Sequence, residues 1–488
     1  MCFYFLTNYV AHMDFKVVVA ISSLLLGLSC GNQSQKVPPP NIVFILADDL
    51  GYGDVGCYGQ QYIETPHIDA LAAEGMRFTQ FYAGATVCAP SRSVLLTGQH
   101  GGHTYIRDNK GVEPEGQFPF ADSVWTFAQS LQEVGYVTGA FGKWGLGMVG
   151  TSGAPDRKGF DTFFGYNCQL RAHRYYPRHL WHNDEKVILE GNDLVNKAVY
   201  APEVIQRQTL KFIEDHQDTP FFLFVPTILP HAELQGPEDE HYRKYENSFA
   251  ETPHKGADYG PDASVGGYAS VAKPRATFAA MVSRLDAYVG EIVAKLDELG
   301  LTDNTVVIFS SDNGSHLEGG ADPAFFNSSG GLRGHKRDLY EGGIRVPFIV
   351  KWPGKVVPGT ESDFVGAFWD VMPTFVELGG ARTPKYTDGL SFLPTLLGKD
   401  DQQQQHQFLY WEFHPNGGRQ AVRMGKWKAV RLDAKDIEKT TVELYDLEHD
   451  PSERRNLSAN HPEIVQQMAA FMTQAHQASA VFPLFEGE

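Results

Sequence analysis

Short, uninterrupted apolar runs alternate along this chain with longer stretches in which apolar residues recur at helical spacing. Residues 41–47, Asn-Ile-Val-Phe-Ile-Leu-Ala, form the first run, and 136–141, 221–225, 305–310 and 347–351 read the same way. A run that is apolar at every position has no face to offer water, so each predicts a strand buried on both sides, as in a parallel sheet. Residues 66–75, 123–134 and 277–299 carry helical periodicity between them. Strands alternating with helices predict an α/β fold, a mostly parallel sheet sandwiched by helices. Residues 232–274, polar and glycine-rich, are expected to form a long surface insertion.

The pattern changes near residue 401, where a run of glutamines occupies 402–405. Shorter strand-like segments follow at 408–413, 419–424, 427–432 and 442–445, and then a helical segment over 462–478. These predict a small C-terminal antiparallel sheet closed by a helix. The expected organisation is a leader over 1–30, a linker over 31–40, a main domain over 41–400 and a C-terminal subdomain over 401–488.

The leader reads as an export signal. Lys16 precedes the apolar run 17–28, too short for a membrane span, and polar residues follow from Gly31. Met13 is a candidate true start. Leu26-Gly27-Leu28-Ser29-Cys30 resembles a loose bacterial lipoprotein box, in which Cys30 would carry a lipid anchor and place the protein in the periplasm or on a membrane. Gly27 departs from the aliphatic residue usual there, which keeps plain secretion open.

With 488 residues, 42% hydrophobic and 20% charged, the chain has the composition of a folded protein. Its formal net charge of −18 argues against nucleic acid as a partner. An anionic substrate would have to be drawn in by a local basic patch.

The densest chemistry lies at Cys88-Ala89-Pro90-Ser91-Arg92, continued by Ser93-Val94-Leu95-Leu96-Thr97-Gly98. Pro90 suits the first turn of a helix, so Cys88 is expected just before a helix N-terminus, where free backbone N–H groups favour an anion. Arg92, one turn on, offers two parallel donors to a tetrahedral anion. Asp48-Asp49 follows the first strand and Asp312-Asn313 the strand at 305–310. Four oxygen ligands at two strand ends suit Ca²⁺, with Mg²⁺ second, rather than zinc.

The Cys-x-Pro-Ser-Arg core with its following Thr-Gly resembles the active-site motif of the type I sulfatases, and the resemblance covers residues 40–460. It implies an alkaline-phosphatase-like fold and a formylglycine made from Cys88 by a formylglycine-generating enzyme. Asp48, Asp49, Asp312 and Asn313 fall on the family's metal-ligand positions, with residue 88 also on the metal. Lys143 and Lys336 fall on its two lysines, and His231 on the histidine that serves the leaving group. The implied reaction is attack on sulfur by the hydrated aldehyde, with Arg92, Lys143 and Lys336 neutralising the sulfuryl oxygens and His231 protonating the departing oxygen. With Cys88 converted and Cys30 lipidated, only Cys57 and Cys168 remain to pair, and the sequence leaves open whether they do.

One departure stands out. The family reads Lys-Trp-His-Leu-Gly where this chain has Lys143-Trp144-Gly145-Leu146-Gly147, a glycine shared by a subset of bacterial carbohydrate sulfatases. His103 and His316 are candidates to replace the missing histidine. Substrate contacts are expected from Arg171, His173 and Arg174, in a stretch that mixes cations with aromatics, and from His316 and Arg333. The expected substrate is a sulfated carbohydrate, with a galactose-configured sugar as the candidate. Two alternatives stand beside it, a phosphonate or phosphate ester hydrolase of the same superfamily and a non-catalytic glycan-binding lipoprotein.

Overall fold

Five of the apolar runs lie side by side in one ten-stranded sheet. We label its central strands β1 (Asn41–Ala47), β2 (Val137–Lys143), β3 (Thr162–Tyr166), β4 (Phe221–Pro226), β5 (Thr305–Ser311) and β6 (Phe348–Lys351). The computed structural model describes residues 39–113, 116–258 and 267–488. The leader, its lipoprotein box and most of the linker lie outside the described residues.

Edge to edge the central order is β6-β5-β1-β4-β2-β3. Pairing is parallel from β5 through β3, whereas β6 runs antiparallel to β5. An apolar run encodes burial on both faces but not direction, so the reversal at β6 was not readable. β1 shows the two-sided burial directly. Ile42, Phe44 and Leu46 enter one hydrophobic core, and Val43, Ile45 and Ala47 the other.

Helices cover both faces, with ends set by local chemistry. The 123–134 expectation shrinks to Phe127–Gln132 because Thr126 and Gln129 form a reciprocal capping box. The long helix runs Pro274–Glu298, earlier than expected, since Pro274 takes the first turn. Among the described residues, no helix is long and apolar enough to cross a membrane.

The insertion at 232–274 is not wholly superficial. Ala232, Glu233 and Leu234 are buried, and a short helix, Glu240–Tyr245, lies within it. Cys57 is a free thiol, and Cys168 Sγ accepts from the Arg171 amide at 3.3 Å.

The C-terminal strands form the expected four-stranded antiparallel sheet, Leu409–Phe413, Arg419–Met424, Trp427–Leu432 and Thr441–Asp446. One face, Tyr410, Val422, Ala429 and Leu444, packs on Met468 and Met472 of the final helix Pro462–Ala475. The opposite face sends Trp411, Ala421 and Val430 into the main core, so this sheet shares a core with the larger one. Lys428 sits in that seam, fully buried, 2.8 Å from Glu341 and 3.0 Å from Glu453. Removing one partner of a buried ion pair leaves uncompensated charge, which typically costs about 3–5 kcal/mol. Lys428→Met should lose stability of that order at neutral pH in urea denaturation, and the deficit should narrow as acid neutralises the two carboxylates. An unchanged midpoint would mean that the seam carries no such charge coupling.

Candidate active site

Four polar residues leave the sheet together where β1 and β5 end. β1 stays apolar to its end and β5 as far as Phe309, so Asp48, Asp49, Asp312 and Asn313 emerge at the carboxyl edge, where open α/β sheets place their ligands. All four are completely buried. The Asp312 amide donates to Ala47 O at 3.0 Å and the Asp49 amide to Asp312 Oδ1 at 3.1 Å, which locks the two turns against each other. Asp49 has φ of 64°, a left-handed conformation that Asp tolerates better than most residues.

Helix α1 (Cys88–Thr97) brings the cysteine to this group. Cys88 is its first residue rather than the residue before it, with Val87 as the cap. Its Sγ lies 3.4 Å from Asp48 Oδ1 and 3.9 Å from Asp49 Oδ1. Burial pushes the thiol well above its ordinary pKa. The charges of Lys143 and Lys336 oppose this, and those of Asp48 and Asp312 add to it. A protonated, buried thiol is a poor nucleophile as it stands.

Each carboxylate is matched by one cation. Lys143 Nζ donates to Asp48 Oδ2 at 2.6 Å, Lys336 Nζ to Asp49 Oδ2 at 2.7 Å, and Arg92 to Asp312 Oδ2 at 2.8 Å. Three negative groups thus meet three positive ones. Burial opposes ionisation of Asp49, but Lys336 and the other basic groups around it together outweigh burial and hold the carboxyl at about 2. Asp312 moves the other way, to about 6, through burial and the charge of Asp48.

The sequence reading turns the Arg92 fork toward an anion, whereas here it grips Asp312 and the carbonyl of Lys143. In this arrangement Arg92 positions a carboxylate and the end of β2.

His231 completes the cluster. Its Nδ1 faces the Ala232 carbonyl, so the proton belongs there, and Nε2 lies 3.0 Å from Lys336 Nζ and 3.2 Å from Asp49 Oδ2. Burial, then the charges of Lys336 and Lys143, hold the imidazole well below its usual pKa. It is neutral at rest and accepts from Lys336.

The site can hold a cation. Asp48, Asp49, Cys88 and His231 bring ligand atoms within 4.8 Å of one another. Asn313 Nδ2 donates to Asp49 at 2.7 Å, while its buried Oδ1 has no hydrogen-bond partner among the described residues. An orphaned amide oxygen among carboxylates is a hard donor set. Since the paired charges already cancel, a divalent cation would leave two net positive charges to meet a monoanionic ester.

The remaining candidates divide. The His173 ring stacks on His231 at 4.8 Å and the His316 ring lies 5.8 Å from it, both nearly parallel to it. Of the two candidates for the missing histidine, His316 belongs to a cluster with Asp49 and Glu318, whereas His103 is bonded to Asp388 at 2.9 Å and stacked on His100. Arg174 forms a buried ion pair with Glu233 at 2.8 Å, and Arg171 lines the adjoining cavity. Arg333 is drawn to the C-terminal sheet, donating to Tyr445 Oη at 2.7 Å and to the Glu453 carbonyl.

Sequence reasoning missed Glu318, 3.5 Å from Lys336, and the buried carboxamides of Asn167 and Gln169 beyond β3. The last two carried no signal, because Asn between strands usually marks a turn and Gln is usually exposed.

The sulfatase family model matches residues 40–381, and a model described as N-sulphoglucosamine sulphohydrolase, C-terminal, matches residues 334–478. The chain is 33% identical to arylsulfatase A of Homo sapiens, over 91% of this chain and 89% of that protein. It is 31% identical to an N-acetylgalactosamine-6-O-sulfatase of Bacteroides thetaiotaomicron, over 91% and 93%. Among solved structures, Ps i-CgsB in complex with k-i-k-neocarrahexaose superimposes with a TM-score of 0.73 at 27% identity, covering 90% of this chain and 94% of that one.

Proposed function

The chain belongs to the type I sulfatase family and is a sulfuric ester hydrolase with an alkaline-phosphatase-like fold, and from that premise we propose that it removes sulfate from a sulfated carbohydrate, using formylglycine at position 88 and Ca²⁺. The observation that carries the mechanism is the set of three carboxylate–cation pairs closed around Cys88. The relative acting on N-acetylgalactosamine supports a galactose-configured sugar.

Asp48, Asp49, Asp312 and Asn313 would hold the cation. In this reading the aldehyde hydrate supplies the nucleophile for sulfur and the cation supplies Lewis acidity that lowers the pKa of its hydroxyl. The chain's own groups do the rest. Lys143 and Lys336, held at the ends of their carboxylate pairs, meet the charge that grows on the sulfuryl oxygens. Arg92 keeps Asp312 and the end of β2 in register. Lys336 Nζ donates to His231 Nε2, so the proton for the leaving oxygen would come from Lys336 by way of that nitrogen.

Asp312-Asn313 speaks against the phosphatase alternative, since two-zinc phosphatases carry Asp-His there. The test is a panel of N-acetylgalactosamine 6-sulfate, galactose 6-sulfate, galactose 4-sulfate and glucosamine 6-sulfate beside matching phosphate esters. Sulfate release from a sugar is expected; faster phosphate release would overturn the reading.

His231 gives a prediction that depends on the leaving group. A sugar alkoxide needs a proton as its bond to sulfur breaks, and a nitrophenolate needs little help. General acid catalysis typically contributes about 10²–10⁴-fold. His231→Ala should lose most of that factor on sulfated sugars and much less on 4-nitrophenyl sulfate. Equal losses on both would reassign His231 to binding.

A further inference from the structure

Gly145 lies two residues past Lys143, with φ of +76°, and a Cβ there would sit 2.0 Å from Gln169 Nε2. Glycine at this position is what admits the Gln169 side chain. The Gly145 amide donates to Asn167 O at 3.1 Å, which ties the loop after β2 to the loop after β3. Asn167 is 2% exposed and Gln169 7%, yet among the described residues none of their four side-chain amide atoms has a hydrogen-bond partner.

Buried polar atoms without partners are costly, and here two whole carboxamides are left in that state. Asn167 lines a cavity of about 280 Å³ together with Tyr166, Arg171, Arg174 and Trp181. The cavity adjoins the reaction centre at two points. Tyr166 is the register partner of Lys143, and the turn Arg171–His173 puts Arg171 on the cavity while His173 stacks on His231.

The donor set identifies the ligand. A carboxamide is uncharged and offers both donors and acceptors. A sulfate group only accepts and would leave the amide oxygens unmet, and an aryl ring would satisfy neither atom. Sugar hydroxyls both donate and accept. We propose that Asn167 and Gln169 form a carboxamide pair that binds hydroxyl groups of the sugar carrying the sulfate, a specificity element seated where Gly145 leaves room. This rests on the sulfated-carbohydrate reading above.

Asn167→Leu and Gln169→Met remove the polar atoms at similar volume. Both should lower kcat/KM on N-acetylgalactosamine 6-sulfate, or on the panel sugar turned over fastest, by about 10- to 100-fold. The loss on 4-nitrophenyl sulfate should be smaller, so that the ratio between the two substrates falls at least about tenfold. The melting temperature should hold or rise, because apolar groups replace unpartnered polar ones. Equal losses on both substrates, or a lowered melting temperature with sugar turnover kept, would make the pair structural and overturn the proposal. Wild type that releases sulfate from no sugar would overturn the carbohydrate reading and this pair with it. Active wild type with unaffected variants would overturn the pair alone.

Discussion

Replacing Cys88 by alanine is expected to remove sulfate release by on the order of 10⁴–10⁶-fold, the scale seen when a covalent nucleophile is deleted from a cooperating site. The expectation follows from the arrangement of the cluster. Both lysines, His231 and the three carboxylates converge on residue 88, and among the described residues no other thiol belongs to the cluster of ligand atoms formed there. The remaining groups can bind and polarise an ester but offer nothing to attack sulfur. The substitution should spare the fold, since Cys88 Sγ makes only long contacts with Asp48 and Asp49. A variant that melts like wild type and turns over no substrate is therefore the expected outcome of paired activity and melting measurements. Activity within tenfold of wild type would sink the nucleophile assignment.

Chelation of divalent cations should come next in size. Lewis-acid stabilisation of sulfuryl charge is worth several kcal/mol, so activity should fall about 10³-fold or more. Ca²⁺ should restore it better than Zn²⁺, because the donor set of Asp48, Asp49, Asp312 and Asn313 is all oxygen. A second readout needs no turnover. A cation that binds only the folded chain adds about 2.7 kcal/mol of stability at a hundred times its Kd, so Ca²⁺ should raise the melting temperature. Asp312→Ala should abolish that rise. Better restoration by Zn²⁺ would favour the phosphatase alternative.

What the sequence revealed, and what it hid, follows from the range of the interactions. β1 and β5 were legible because strands buried on both faces cannot hide their apolar runs, and Asp48, Asp49, Asp312 and Asn313 follow those runs closely. The end of β2 was less so: Gly142 and Lys143 look like loop residues, yet pairing with Gly165 and Tyr166 keeps them in the ladder. That Cys88, Lys143, His231 and Lys336 belong to one site was legible from motifs, but the direction of each side chain was not. Arg92 illustrates this, since its partner Asp312 lies 220 residues away. The pairing of Arg174 with Glu233 and the seat of Gln169 over Gly145 likewise depend on loops from different strands. No local pattern encodes such meetings.

The central claim is that residue 88 acts as an aldehyde made from cysteine. The most direct test uses preparations expressed with graded amounts of a formylglycine-generating enzyme. In each, peptide mass spectrometry gives the fraction of Cys88 converted, and sulfate release from the best sugar of the panel gives the rate. The rate is expected to rise in proportion to the converted fraction and to pass through zero when none is converted. Full activity in a preparation whose Cys88 remains a thiol would contradict it.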